Sequence, residues 1–239
     1  MKIIILLFLI IIIGCRKEPA SVSEKNMGSE PNSVNAELSS DKVKAENNTT
    51  IDKKPVGYVQ YAISEIPGEI KYQGSVISMA KWKDELGENI VFVTETSEKS
   101  TEDSRSKEIY GYHYILNDNG AGQLWRIYDF IKDCPVDLTL SYIDKSLEIT
   151  DLDSNGIAES SFIYRMSCKG DVSSDDMKLI MHEGKEKYAI RGIMEMTLDG
   201  KPYQKGEMHM DPSFSNAPEV YSKYSESKWN KFKTDNIGK

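Results

Sequence analysis

The stretch LEITDLDSNGIAESSFIYRMSC, residues 147–168, has the pattern of a strand, an acidic turn and a second strand. Asn155 followed by Gly156 is by itself a strong signal for the turn of a β-hairpin. A period of two, with turn signals every ten or so residues, extends outward from residue 55 to about residue 210. It predicts, among others, strands at 57–63, at 193–198 as a continuation of the strand at 187–192, and at 203–210. The sequence therefore predicts a mostly β domain, an antiparallel meander of hairpins arranged as a sandwich or a partial propeller.

The acidic turn also carries oxygen atoms at the spacing of a cation site. Side-chain oxygens stand at relative positions 1, 3, 5 and 9, and a backbone carbonyl can serve at position 7. These positions are Asp151, Asp153, Asn155, Glu159 and Ile157. Ca²⁺ binds six to eight oxygens at about 2.3–2.6 Å, so we expect a structural Ca²⁺ here. The alternative is a plain turn flanked by solvated acids.

Two features separate this turn from known calcium loops. A helical EF-hand is excluded, because its twelfth position would be Phe162 and both flanks are strand-like. The spacing instead resembles the calcium loops that join two strands in integrin-type propellers and related bacterial repeats. Those loops more often end in Asp than in Glu, and they occur in arrays, whereas this chain has one.

Near the C-terminus, the spacing of the apolar residues changes from that of a strand to that of a helix. Asn216 fits a helix cap, with Pro218 in the first turn and Glu219 three positions after the cap. Apolar residues then fall on one arc of a helix. They are Val220, Tyr221, Tyr224, Trp229 and Phe232. This pattern predicts one amphipathic C-terminal helix, ending near Lys233, that packs on the sheet.

The N-terminus has the features of an export signal. Lys2 precedes an apolar run at 3–13, which is too short to span a membrane, and Gly14 and Cys15 follow. Residues 12–15 resemble a bacterial lipobox, so we expect 1–15 to be a lipoprotein leader and Cys15 to be lipidated. The alternative is an ordinary signal peptide. Because Arg16 follows the cysteine, the outer membrane is favoured as the location in the cell envelope.

The remaining chain divides by composition. Residues 16–54 are rich in Ser, Asn, Glu and Lys, and we expect a disordered tether with a reach on the order of 35 Å. Residues 55–239 form a single globular domain. The net charge of −8 argues against nucleic acid as a partner.

Lipidation of Cys15 leaves an even pair of cysteines, Cys134 and Cys168, in an oxidising compartment. We expect one disulfide between them, which stabilises the domain by about 3–4 kcal/mol on the chain-entropy model. Two buried free thiols are the alternative.

The sequence contains no recognisable catalytic motif. None of the three histidines lies in one, and paired carboxylates for glycoside hydrolysis are set in space rather than in sequence. Five aromatic residues are candidates for a surface on which sugar rings stack. They are Tyr110, Tyr112, Tyr114, Trp125 and Tyr128. Because side chains alternate between the two faces of a strand, about half of these residues are expected in the core. Methionines at 194, 196, 208 and 210 around His209 fit Cu(I) ligands or ordinary core residues.

Residues 125–173 and 177–192 carry a family resemblance. WRIYDFIKDCPVDLTLSYIDKSLEITDLDSNGIAESSFIYRMSCKGDVS, followed by MKLIMHEGKEKYAIRG, resembles a group of small Bacteroidota lipoproteins described as surface polysaccharide biosynthesis proteins. The resemblance extends from about residue 75 to the C-terminus. It implies a link to lipopolysaccharide or capsule, and it supplies no catalytic residues.

The resulting hypothesis is a lipid-anchored envelope protein that binds or scaffolds surface polysaccharide without catalysing a reaction. The alternatives are an enzyme that uses paired carboxylates on a glycan, and a protein-binding module of an envelope complex.

Overall fold

A computed structural model describes residues 66–238. The leader with Cys15, the tether at 16–54 and a strand predicted at 57–63 lie outside these residues. The strands are β1 (Ser75–Asp84), β2 (Gly87–Glu95), β3 (Lys99–Ser100), β4 (Arg105–Asn117), β5 (Gly120–Cys134), β6 (Asp137–Tyr142), β7 (Glu148–Thr150), β8 (Glu159–Lys169), β9 (Asp176–Glu183), β10 (Glu186–Ile193), β11 (Glu195–Leu198), β12 (Lys201–Gln204), β13 (His209–Met210) and β14 (Thr234–Ile237). A 3-10 helix at Pro212–Asn216 precedes α1 (Glu219–Phe232).

The first sheet has the order β1-β2-β4, with β3 and β5 both paired to β4. All its pairs are antiparallel, and the hairpin registers place Met79, Phe92, Tyr112 and Arg126 side by side. Because side chains alternate between the two faces of a strand, this row defines one face of the sheet. We call it the outer face, since the opposite face packs against the second sheet.

The second sheet has the order β13-β10-β9-β8-β6, with β7 also paired to β8. Its register places Tyr164, Lys178 and Arg191 side by side on the face toward the first sheet. A small third sheet has the order β12-β11-β14, in which β14 runs parallel to β11.

The main core lies between the first two sheets, because alternate residues of both sheets point into the same space. Among its buried members are Trp82, Val91, Ile109, Trp125, Ile127, Leu140, Phe162 and Ile180. A polar link crosses the gap: Asp129 accepts hydrogen bonds from the Tyr164 hydroxyl at 2.7 Å and from Lys178 Nζ at 2.5 Å. The arrangement is that of a β-sandwich.

Helix α1 covers the outer face of the second sheet. Tyr221, Tyr224 and Trp229 are almost fully buried against strand residues such as Leu179 and Ile190. The buried Lys228 fixes the helix further, since its Nζ donates to the backbone carbonyl of Ser161 at 3.2 Å and to that residue's hydroxyl at 2.8 Å. The helix therefore supplies the third layer of the fold.

The outer face of the first sheet has a different cover. The segment around Gln73 crosses it, where the Thr94 hydroxyl donates to the Gln73 carbonyl at 2.6 Å and the Gln73 N–H donates to the Tyr112 hydroxyl at 3.1 Å. Ile70 is buried against this face. Tyr128 and Phe130, at the end of the same face, are exposed.

The predicted fold class, a mostly β antiparallel domain with one helix near the C-terminus, is confirmed. The predicted disulfide is also confirmed: Cys134 and Cys168 are bonded, with their Cα atoms 5.8 Å apart. It joins the end of β5 to β8, and so ties the first sheet to the second.

Two local predictions are wrong. The helix begins at Glu219 rather than after a cap at Asn216, because Asn216 ends the preceding 3-10 helix and Pro218 stands at the cap position without a side-chain bond. The continuous strands expected at 193–198 and 203–210 are split. β11 and β12 pair with each other outside the second sheet, and β11 also pairs with β14, a strand that the apolar pattern did not indicate.

Candidate functional site

The acidic turn between β7 and β8 brings three carboxylates together. One ligand oxygen from each of Asp151, Asp153 and Glu159 lies within 4.8 Å of the others. Glu159 is fully buried, and the buried Oδ1 of Asp151 has no hydrogen-bond partner. An unpaired buried carboxylate oxygen is costly unless a proton or a cation satisfies it.

Neighbouring strands hold this turn in place. Asp84 Oδ2, at the end of β1, accepts the Ala158 N–H at 3.0 Å, and the Glu85 N–H donates to the Gly156 carbonyl at 3.0 Å. Gly156 has φ of +86°, and a Cβ there would lie 2.9 Å from the Glu85 side chain. Glycine is therefore required at this point of the turn, for both its backbone conformation and its small size.

Asn155, the fourth side chain of the predicted set with Ile157 as its backbone member, is placed differently from the acids. Asn155 Oδ1 accepts the Ile157 N–H at 2.8 Å, and Asn155 Nδ2 donates to Asp153 at 3.2 Å and to Glu183 at 2.5 Å. The amide nitrogen of Asn155, rather than its oxygen, thus faces the acids. The three acidic residues form the convergent part of the predicted set.

Burial dominates the electrostatics of Glu159. Desolvation raises its pKa to about 7, against hydrogen bonds from the Thr150 hydroxyl and the Leu152 N–H that favour the charged form. The strand register also places Glu159 directly opposite Glu183, and like charges in that position repel. A bound cation would remove both penalties.

A groove of about 450 Å³ opens at the end of the first sheet, beside β3 and the adjoining ends of β4 and β5. Hydroxyl groups, lysines, two acids and three apolar or aromatic side chains line it. The lining residues are Thr96, Lys99, Thr101, Ser104, Ser106, Lys107, Glu108, Tyr128, Phe130, Ile131, Lys132 and Asp133. It was not visible in the sequence, because its residues come from two stretches, 96–108 and 128–133, that the pairing of β4 with β5 brings together.

Aromatic rings form a ladder that runs from the outer face into this groove. The ring centroids of Tyr110 and Tyr128 are 5.0 Å apart, and those of Tyr128 and Phe130 are 5.3 Å apart, with near-parallel planes. Tyr128 and Phe130 are each 46 % exposed. The Arg126 guanidinium lies 5.5 Å from the Tyr128 ring centroid and 5.0 Å from that of Tyr110, within the range of cation–π attraction.

Glu108 holds the ladder in position. Its Oε2 accepts a hydrogen bond from the Tyr110 hydroxyl at 2.8 Å, and its Oε1 accepts one from the Tyr128 hydroxyl at 3.2 Å. Burial, followed by the bond to Glu108, raises the pKa of Tyr110 to about 12. Both rings are therefore oriented before any ligand arrives, which lowers the entropic cost of binding.

The exposed part of the sugar-stacking face is therefore smaller than the sequence predicts, and it lies on β5. Tyr110, Tyr112 and Tyr114 share the outer face but are buried, and Trp125 points into the main core. Tyr128 remains exposed, and Phe130 joins it. Alternation along β5 could have grouped these two residues, since they are two positions apart, but it could not show that their face is open.

Groups with catalytic chemistry lie in the interior instead. The hydroxyl of Ser161 and the Nζ of Lys228 are 2.8 Å apart, a nucleophile–base spacing, yet both residues are at most 3 % exposed. His113 and His182 are buried, and desolvation lowers their pKa to about 4 and about 3. All four of these groups are buried and contribute to the packing of the layers.

The methionines considered as copper ligands lie in and around the core. Met194 is buried in the cluster beneath α1, and Met208 and Met210 pack against the same cluster. His209 is exposed, with its Nε2 3.6 Å from Glu207. The positions of the methionines fit the alternative that they are ordinary core residues.

Comparisons with family models, curated proteins and solved structures find no match to this chain. Within residues 66–238, no helix has the length and apolar character needed to cross a membrane. The functional conclusion rests on the groove and the acidic turn.

Proposed function

We propose that this chain is a lipid-anchored protein of the cell envelope, in the outer membrane, whose β domain binds surface glycan without catalysing a reaction. In this role it supports the assembly or display of lipopolysaccharide or capsule. The observation that carries the binding role is the exposed pair of stacked rings, Tyr128 and Phe130, at the mouth of a groove lined by hydroxyls, with Tyr128 held in place by Glu108. The leader, Cys15 and the tether supply the envelope location.

The chemistry of the groove suits a sugar. One face of a pyranose ring carries C–H groups, which pack on exposed aromatic rings, while its hydroxyls need donors and acceptors in matched positions. Thr96, Thr101, Ser104 and Ser106 line the same groove, and their hydroxyls, each of which already makes a hydrogen bond within the protein, keep lone pairs that can accept from a sugar. Ligand sites commonly combine an apolar wall with a few polar groups in this manner.

A binding experiment tests the proposal. Full-length protein in detergent is titrated with a panel of neutral and acidic polysaccharides, and affinity is measured by calorimetry. Tyr128→Ala and Phe130→Ala should each weaken binding by about tenfold, which corresponds to about 1.4 kcal/mol per stacked ring. Tyr203→Ala, which removes an exposed ring on β12, is the matched control. If no polysaccharide binds, or if the groove variants bind as the control does, the proposal fails.

A glycan-cleaving enzyme is the second candidate, since Glu108 and Asp133 place two carboxylates in one groove. Against it, both oxygens of Glu108 accept tyrosine hydroxyls and serve to orient the rings. Incubation of the protein with each bound polysaccharide, followed by an assay for new reducing ends, separates the two functions. Cleavage that is lost in Glu108→Gln or Asp133→Asn, with folding retained, would establish the enzyme.

We also propose that the acidic turn binds Ca²⁺ as a structural ion, with Asp151, Asp153 and Glu159 as its side-chain ligands. The unpaired oxygen of Asp151 and the buried charge of Glu159 support this assignment. Such an ion would join the turn to β8 and so stiffen the edge of the second sheet. All the donors are hard oxygen ligands, which suit Ca²⁺.

Thermal unfolding in Ca²⁺ and in chelator tests this assignment. Wild-type protein should melt at a higher temperature in Ca²⁺, and Asp151→Asn and Asp153→Asn should lose that difference. Asp118→Asn, in the exposed turn between β4 and β5, should keep it. A wild-type melting curve that does not move on chelation removes the proposal.

The anchor has a separate test. Mass spectrometry of the protein made in a bacterial host should show a lipid-modified N-terminal peptide that begins at Cys15. Cys15→Ser should release the protein from the membrane fraction. An unmodified peptide that retains residues 1–14 would contradict the lipoprotein assignment.

A further inference from the structure

The lining of the groove carries more lysines than acids, although the chain as a whole carries a net charge of −8. Lys99, Lys107 and Lys132 line it, against the two acids Glu108 and Asp133. Arg126 extends this positive strip along the aromatic ladder, where its guanidinium lies over the rings and is exposed to solvent.

The lysines differ in how far their charge is already neutralised. Lys107 Nζ pairs with Glu95 Oε2 at 2.6 Å, and both side chains are mostly buried. Lys99 and Lys132 are exposed, and within residues 66–238 neither side chain makes a hydrogen bond or an ion pair. Two ammonium groups at the groove thus remain available to a ligand.

The two acids of the groove differ in how far they neutralise the positive charge of the lysines. The carboxylate of Glu108 is engaged by two tyrosine hydroxyls and lies between the rings. Asp133 is exposed at the end of β5, in the left-handed backbone conformation with φ of 54°. An incoming anion therefore meets Lys99 and Lys132 on the groove lining and Arg126 beside the rings, against the single exposed carboxylate of Asp133.

We infer that the glycan bound in this groove is an acidic polysaccharide, a sugar polymer that carries carboxylate, sulfate or phosphate groups. This inference rests on the proposed glycan-binding function and names its ligand class. Sugar rings stack on Tyr128 and Phe130, while acidic substituents pair with Lys99 and Lys132. The negative charge of the rest of the domain repels a polyanion elsewhere, so electrostatics direct it to this end of the first sheet.

Three polymers separate charge from sugar recognition. Full-length protein in detergent is titrated with polygalacturonate, with the same polymer after its carboxylates have been reduced to alcohols, and with polyacrylate. Polygalacturonate should bind at least tenfold more tightly than the reduced polymer, and its affinity should fall as salt rises. Polyacrylate, which has charge but no sugar rings, should bind weakly.

The matched variants are Lys99→Gln with Lys132→Gln, and Lys185→Gln with Lys201→Gln as a control pair of exposed lysines away from the groove. Both pairs change the net charge equally. The groove pair should weaken polygalacturonate binding about tenfold and flatten its salt dependence, while the control pair should leave binding unchanged.

The results of these titrations separate the acidic character of the ligand from glycan binding itself. Equal binding of the charged and reduced polymers, weakened by Phe130→Ala, would overturn the acidic ligand and leave glycan binding intact. An equal effect of the two lysine pairs would overturn the role of the groove lysines. Binding of polyacrylate as tight as that of polygalacturonate would show a general polyanion surface, and no binding of any sugar polymer would remove the proposed function.

Discussion

The outer faces of the two sheets are both apolar, but they differ in how far they are covered. On the second sheet, α1 buries the face completely, with Tyr221 and Trp229 at most 2 % exposed. On the first sheet, the segment around Gln73 covers part of the face and leaves Tyr128 and Phe130 each 46 % exposed. One aromatic surface is therefore used for stability, and the other remains open to a ligand.

This difference explains why aromatic content alone is a poor guide to function. Tyrosines on both faces donate to acids: Tyr224 donates to Glu148 at 2.6 Å beneath the helix, and Tyr128 donates to Glu108 at 3.2 Å at the groove. Under the helix, such a bond satisfies a polar group that is out of reach of water. At the groove, it fixes a ring that water and ligands can reach.

The histidines in the core between the two sheets should give the largest effect, which is a loss of stability on acidification. His113 and His182 have folded pKa values of about 4 and about 3, below an unfolded value of about 6.5. Stability is therefore present above pH 6.5 and is lost as pH falls toward the folded pKa values. In saturating Ca²⁺, the free energy of unfolding should fall by about 5 kcal/mol between pH 7.5 and 4.5.

Urea unfolding at a series of pH values measures this loss. His182→Phe keeps a flat ring against Trp125, whose centroid lies 4.2 Å from that of His182, and it should remove about half of the loss. An unchanged pH profile in this variant would show that the histidine is not responsible.

The covered face should give the next largest effect. Trp229→Ala empties the space between α1 and the second sheet, and we expect it to reduce the free energy of unfolding by about 4 kcal/mol. Denaturant unfolding monitors the change, with glycan binding measured on the folded fraction. A loss below about 1 kcal/mol would contradict the packing of this helix.

The acidic turn borders the covered face, and it should show an opposite pH dependence. The pKa of Glu159 is raised to about 7, so its stabilising effect is present below pH 4.5 and is lost as pH rises through 7. In chelator, Glu159→Gln should therefore gain about 3 kcal/mol relative to wild type between pH 4.5 and 8. Ca²⁺ should reduce that gain by stabilising the wild-type carboxylate. A constant difference between the two proteins at all pH values would contradict the raised pKa.

The open face should give the smallest effect on stability. Tyr128→Ala removes a half-exposed ring, and the free energy of unfolding should change by less than about 1 kcal/mol while glycan affinity falls. Thermal unfolding and calorimetric titration of the same sample measure both quantities. A loss as large as that of Trp229→Ala would make the ladder a structural feature rather than a binding surface.

Several particular features followed from local sequence patterns. The turn at Asn155 and Gly156 lies between β7 and β8 as predicted, and the pairing of Cys134 with Cys168 is present. The split near Met194 was missed, because the apolar pattern continues there while Gly192 makes a close backbone approach to Glu207. A period of two shows which residues share a face, but it does not show which strand pairs with that segment.

The candidate site was predictable only in part. The acids at 151, 153 and 159 stand close together in sequence, and their convergence follows from a short turn. The groove depends on contacts between neighbouring strands that residue spacing does not identify, such as the pairing of Glu108 on β4 with Phe130 on β5. No spacing rule along the chain describes such a surface.

The amino-acid sequence by itself determined the β architecture, the hairpin turns and the acidic ligand spacing, because these depend on near neighbours and on alternation along a strand. Only the tertiary structure decided which aromatic face is covered by the helix and which is left open. It also decided that Glu159 is buried and that Lys99 and Lys132 line the groove with no side-chain partner among residues 66–238. Burial and long-range electrostatics depend on the folded arrangement of distant segments, and that arrangement is what separates a packed face from a binding face.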